Sequence, residues 1–385
     1  MLRIPLLVLL AAALAGIPHP APPGSSEPFL FADAKGGLLA SWIEANDAGG
    51  AALRFARYDG RSWSTPSTIR TGRDFFVNWA DIPSVVSDAR GTLYAQWLQK
   101  TAGERYAHDV YYAVSTDGGA TWTTPALLNR DGKAAEHGFT SLVPLPGGGA
   151  GVVWLDGSSE ETKLRYAVID RHGRLSGETV LDERVCDCCA TAMTATTGGA
   201  LVAYRDRSAE ETRDISLVRS GRAGWTKPAP LHADGWRIKA CPVNGPQLDA
   251  RGDAVAAAWF TLAGEQACVY AAFSRDGGRT FAQPVRIDGG APAGRVDVVA
   301  LRDGALVVWL EGGTAPYIAA RHVASKGALG PVLKLGDASG ANAKPMPRAA
   351  LAGETAYVAW TSPGADKRIH LVAIAGQSMP TKSNN

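Results

Sequence analysis

Seven aromatic residues recur along the chain at nearly even intervals, and this beat limits the fold more than any other feature. Trp42, Trp97, Trp154, Tyr204, Trp259, Trp309 and Trp360 each close a run in which a Gly-led turn is followed by small apolar residues, with separations of 50–57 residues. A unit of this length cannot bury its own apolar face, so neighbouring units must stack and share a continuous core. Within each unit the alternation of apolar and polar residues gives four short strands. The second unit is the clearest, with strands over Pro83–Asp88, Thr92–Leu98, Asp109–Val114 and Thr121–Leu128. The fourth and fifth units repeat this layout at Thr191–Leu231 and Gly245–Ile287. Helical periodicity is absent. The expected fold is an all-β propeller of four-stranded antiparallel blades, seven by count.

The last unit lacks a fourth strand before the tail Gln377–Asn385, so a strand from within Ile17–Phe31 is expected to complete it and close the ring. The domain plan is a signal peptide over 1–15, a Pro-rich linker over 16–26, one propeller over 27–376 and a polar tail over 377–385. Arg3, the apolar run Leu6–Leu14 and the Ala13-Leu14-Ala15 cleavage pattern carry the leader. They predict an exported protein, periplasmic or secreted, with no membrane span once the leader is removed. A net charge of +2 with interspersed signs gives no footprint for nucleic acid.

Two eight-residue turns share the pattern S-x-D-x-G-x-T-aromatic: Ser115, Asp117, Gly119 and Trp122, then Ser274, Asp276, Gly278 and Phe281. Worn versions precede Trp63 and Trp225. The Asp can accept backbone N–H bonds within its own turn, and the glycines supply positive φ. The aromatic is expected to close the turn against its own sheet. This turn resembles the Asp-box (BNR repeat) of the sialidase-like β-propellers. The resemblance implies a structural role between the third and fourth strands of a blade, on the face away from the active site. It also makes a six-bladed ring the alternative count.

Propeller topology then sorts the loops. The connections between second and third strands, and those from blade to blade, share the opposite face, and they carry the unusual residues. Arg184 to Cys189 (R-V-C-D-C-C) and Cys241 to Gly245 (C-P-V-N-G) begin inner strands of adjacent blades. In an exported protein, Cys186, Cys188, Cys189 and Cys241 predict a disulfide tying blade 4 to blade 5, without fixing its partners. The alternative is a Cu or Zn thiolate site with His137 and Met346 as added ligands, whereas the first reading needs no cofactor. Cys268 reads as a small buried hydrophobe.

Arg205, Arg207, Arg213, Arg237, Arg295 and Arg348 fall on the same face, where a planar fork suits a carboxylate. Trp79 and Trp236 offer platforms for sugar rings, with His137 and Asn244 beside them; the bland alternatives are salt-bridge clusters and packing between blades. The sialidase resemblance implies three carboxylate-binding arginines, a Tyr–Glu nucleophile pair and an Asp acid/base. Asp81-Ile82-Pro83 places Asp where that family has its first Arg, and the Tyr–Glu pair is limited to Tyr106 with Glu104. Asp81, Asp187 and Asp206 are acid/base candidates by position, Asp81 and Asp206 foremost. The expected function is recognition of a glycan or other small anionic ligand at this face. The alternatives are an exo-sialidase or related glycoside hydrolase with a rearranged arginine clamp, and a periplasmic soft-metal-binding protein.

Overall fold

The computed structural model describes residues 14–46, 49–101, 106–338, 345–362 and 367–375. The leader over 1–13, Glu104, Lys344 and the tail 377–385 lie outside them. Among the described residues seven antiparallel sheets follow one another, strands pairing mostly with their sequence neighbours except where the N-terminal strand joins the last sheet, and helix is confined to one turn at Ala263–Glu265. The count is seven blades, not six. No helix among the described residues is long and apolar enough to cross a membrane.

The inner strands, in blade order, are Ser26–Ala32, Ser84–Ser87, His137–Pro144, Ala192–Thr196, Gln247–Arg251, Pro292–Ala300 and Arg348–Ala352. Every aromatic of the beat lies on the second strand of its blade and is at most 2% exposed. For six of them, Trp42 apart, the burial is in cores shared between blades. Trp97 packs with Leu39 and Phe55 of blade 1, Trp154 with Tyr94 and Leu98 of blade 2, and Trp309 with Ala258 and Phe260 of blade 5. Tyr204, Trp259 and Trp360 repeat the arrangement. The repeat length in sequence is thus the interval at which one large ring fills each seam.

The ring closes where the last blade takes its outer strand from the N-terminus. Leu14–Gly16 pairs with Val372–Ile374, and Ile17 extends the ladder by donating its N–H to Leu371 at 2.9 Å. The closing strand therefore lies upstream of the expected Ile17–Phe31 window, across the boundary between the stretches read as leader and linker, while Ser26–Ala32 is the inner strand of blade 1. Apolar Leu14-Ala15-Gly16 satisfies both a cleavage-site pattern and an edge strand.

The two S-x-D-x-G-x-T turns have one geometry. Ser115 Oγ donates to Asp117 at 2.7 Å and accepts from the Gly119 N–H at 2.9 Å, while Thr121 Oγ1 donates to Asp117 at 2.6 Å. Ser274, Asp276, Gly278 and Thr280 repeat these bonds. The Thr121 hydroxyl and N–H hold the Asp117 carboxyl well below its usual range, and Thr280 does the same for Asp276. Trp122 is placed differently from expectation. Its ring stands edge-on to Phe55 of blade 1 at 6.0 Å, so the turn is pinned to the preceding blade.

Candidate functional site

The seven inner strands surround a central hollow of about 350 Å³. Its walls are stitched across the seams by carboxylates that accept backbone N–H groups of the next blade. Asp249 accepts from Ala300 at 2.7 Å, Asp297 from Ala349 at 2.8 Å, and Asp81 from Phe139. Burial pushes the carboxyls of Asp81 and Asp249 up to about 6, against the lowering effect of those bonds. Burial also raises Glu27 to about 7 and lifts Asp297 above its ordinary value.

Arg348 lines this hollow. It is 8% exposed, and its Nε and Nη1 have no hydrogen-bond partner among the described residues. The charges it feels are those of Asp297, Asp81 and Glu27, and burial brings its guanidinium below the usual arginine range. The start of the hollow is bent in three blades. Register shifts interrupt the inner strands at Ser26/Phe29, Gly138/Ser141 and Gly294/Asp297. At each shift a non-glycine residue takes positive φ: Glu27 at 54°, Phe139 at 51° and Arg295 at 57°. Each such residue costs roughly 1 kcal/mol, and strain of this kind gathers where a fold aims side chains at a site.

No family model matches this chain, and no curated relative matches its sequence. Solved structures do match in shape. A protein of unknown function from Dyadobacter fermentans DSM 18053 aligns over 94% of this chain and 98% of its own, at 17% identity and TM-score 0.56. The α-L-arabinanase of Penicillium chrysogenum, solved with arabinobiose, aligns over 92% and 94% at 11% identity and TM-score 0.52. Polysaccharide lyase Uly1 aligns over 89% and 88% at 10% identity and TM-score 0.52. The shared property is the propeller fold. At these identities the likeness shows the fold alone.

Beside the channel mouth of this propeller runs a groove of about 540 Å³ between the second, third and fourth blades. Tyr106, His108, Glu136, Phe139 and Asp187 line it, and Tyr106 is 57% exposed. Burial and the neighbouring Asp187 charge raise the Glu136 carboxyl. Phe139 borders both hollows and packs against the cysteines.

The four cysteines of blades 4 and 5 do converge, but as thiols: all five cysteines are free. Cys186 Sγ lies 3.5 Å from Cys189 Sγ and 3.8 Å from Cys188 Sγ, beyond S–S bonding length, and Cys241 is free as well, so the expected disulfide between blades 4 and 5 is not formed. Hydrogen bonding with the Cys188 and Cys189 thiols, aided by Arg213, pulls the Cys186 thiol down, and burial pushes Cys189 up to about 12. Gly245 makes the approach of the two blades possible, since a Cβ there would stand 2.0 Å from the Ala190 carbonyl oxygen. His137 does not join this cluster. Its Nε2 is 2.9 Å from Asp131 and 3.4 Å from Asp156, and its Nδ1 faces the His108 carbonyl. Met346 is buried where blade 7 begins.

The arginines separate by what already holds them. Arg205 bonds the carbonyls of Asn244, Arg213 and Phe260 and stacks on Trp236 at 4.7 Å, so it braces loops. Trp236 is packed with Phe260 in the blade 5–6 core, and this is the packing alternative. Arg207 is paired with Glu211 and Glu161, and Arg213 with Glu211 and the Cys186 sulfur. Arg237 is exposed beside Thr212. Arg295 stacks on Trp79 at 4.6 Å with Nε and Nη1 unpartnered among the described residues, and its N–H is fixed by Asn244. Asp206 accepts from Ser216 at 2.8 Å between strands of blade 4 and lines neither hollow. Glu27, absent from the sequence-based candidates, is the buried acid whose charge Arg348 feels that they missed; its place just before Pro28 in a bulged strand carries no recognisable pattern.

Proposed function

We propose that this is an exported propeller that recognises an acidic glycan end-on at the channel mouth, with Arg348 as its anchor. The observation that carries the reading is the buried Arg348 guanidinium, lining the central hollow with two nitrogens that have no hydrogen-bond partner among the described residues. A carboxylate or ring hydroxyl would satisfy donors that are otherwise costly to bury. Asp81, which lines the hollow and has a pKa near 6, is partly protonated near neutrality and can both donate to and accept from sugar hydroxyls, while Glu27 acts on Arg348 by its charge. Arg295 over Trp79 supplies a second guanidinium and an aromatic platform at the rim. Titration calorimetry with sialate- or uronate-terminated oligosaccharides, against neutral counterparts, tests this. Arg348→Gln should weaken acidic-glycan binding at least tenfold while the thermal melt remains cooperative. Equal affinity in variant and parent overturns the proposal.

The hydrolase reading rests on one different observation, the raised pKa of Asp81 inside the hollow, which suits a general acid. Fluorogenic sialosides and uronides would be turned over by the parent chain and not by Asp81→Asn. Absence of turnover across the panel leaves recognition alone.

A further inference from the structure

We infer that Cys186, Cys188, Cys189 and Cys241 form a thiolate site for a soft or borderline d10 cation, Cu(I) or Zn(II), at the seam of blades 4 and 5. The inference stands independently of glycan binding. Two sulfurs on one tetrahedral ion, with bonds of about 2.3 Å, stand about 3.8 Å apart. The Cys186–Cys188 and Cys186–Cys189 separations of 3.8 and 3.5 Å match that edge, whereas a disulfide needs about 2.05 Å. Cys188 links this set to a second one, in which its sulfur, Cys241 Sγ and an Asp187 carboxylate oxygen all lie within 4.8 Å of one another. Cys241 and Asp187 are exposed and give an ion a route to the three buried sulfurs.

The surroundings have the character of an outer ligand shell. Arg213 Nη1 donates to Cys186 Sγ at 3.2 Å, and the backbone N–H of Asn244 donates to Cys189 Sγ at 3.4 Å. N–H groups aimed at sulfur fix the orientation of a thiolate and offset its charge. Three thiolates on Cu(I), or four on Zn(II), leave a net charge of about −2 at the site. Arg213 is in contact with the cluster, and Arg205 and Arg295 act on Cys189 electrostatically. The C-D-C-C sequence can deliver three sulfurs to one point because the chain turns directly after Cys186, whose N–H is held by the Arg205 carbonyl at 3.0 Å.

The test uses the full chain, reduced and freed of metal by a chelator. It is titrated anaerobically with Zn(II) and, separately, with Cu(I), each against a chromophoric competitor. One equivalent should bind, and Cys188→Ser should weaken binding at least a hundredfold, with Cys268→Ser unchanged. Arg213→Gln should cost about tenfold. To keep the test independent of folding in the serine variant, alkylation with mass spectrometry is run on the parent chain too: bound metal should protect Cys186, Cys188, Cys189 and Cys241 together. Uptake of only one of the two ions identifies the ion and supports the site. Uptake of neither, undiminished binding in Cys188→Ser, or unprotected cysteines in the metal-treated chain would overturn it.

Discussion

Arg205 lies 4.7 Å over the ring of Trp236 while each of its three nitrogens bonds a backbone carbonyl, those of Asn244, Arg213 and Phe260. One side chain from the end of a second strand thus ties together two loops and the next blade. Arg205→Ala would leave three carbonyls buried without donors and remove the charge from an aromatic face. The expected loss is about 3 kcal/mol or more, read as a fall in the urea midpoint. Arg205→Lys should recover only part of it, since one ammonium cannot serve three divergent carbonyls over a ring. Glycan affinity per folded molecule should remain unchanged in the lysine variant.

Gly119 and Gly118 separate steric from conformational need within one turn. Both have positive φ, 96° and 78°, but a Cβ at Gly119 would stand 2.3 Å from Phe55 of blade 1, whereas Gly118 faces open space. Gly118→Ala should cost about 1 kcal/mol, the strain of the left-handed region alone. Gly119→Ala adds overpacking and should cost at least about 2 kcal/mol. Differential thermal melts decide. Equal losses would show that Phe55 moves aside freely.

Stability should fall as pH rises through the titration of the buried acids. Glu27 has its pKa raised by burial from 4.5 to about 7, so between those values the folded chain holds a proton that the unfolded chain releases. Its stabilising contribution is complete below pH 4.5 and is lost as pH climbs toward 7. Asp81 and Asp249 act in the same direction up to about 6. For His137, burial opposes the charged form, but Asp156 and Asp131 outweigh it and raise the pKa. That contribution likewise disappears as pH rises past its folded value. Urea midpoints at pH 5 and 8 should differ in favour of pH 5 on account of these groups, and Glu27→Gln should flatten the difference. An unchanged slope in Glu27→Gln would mean that Glu27 is ionised at neutral pH.

The propeller was readable in the sequence because its seams each need one large ring, and a need repeated in space becomes a period along the chain. Trp154 and Trp309 fill equivalent seams at an interval fixed by four short strands and their turns. The meeting of Cys188 and Cys241 was readable for the same reason, as equivalent segments in adjacent blades face one another. What topology could not supply was side-chain commitment. Arg205 and Arg295 look alike in sequence, yet one is consumed by carbonyls and the other retains nitrogens unpartnered among the described residues. Nor does any composition rule mark Glu27, Phe139 and Arg295 as positive-φ residues, since the surrounding strands impose that conformation on side chains that ordinarily avoid it.

Leu14–Gly16 supplies the outermost strand of blade 7, and its removal sets the last prediction. Cleavage after Ala15, as the leader pattern suggests, would leave Gly16 and Ile17 to hold a ladder that pairs Leu14 with Ile374 and Ala15 with Ala373. A chain beginning at Ile17 loses every pair of that strand and bares the edge over Val372–Ile374. The lost backbone bonds are worth about 1 kcal/mol each, so the penalty is about 2–3 kcal/mol relative to a chain beginning at Leu14. An unpaired edge is also a template for other chains, so the shorter form should move toward dimers and larger species in size-exclusion chromatography. N-terminal sequencing of the protein recovered from its native host states which form exists. A chain starting at Ile17 that is monomeric and equally stable would show that the three-residue strand contributes nothing to closing the ring.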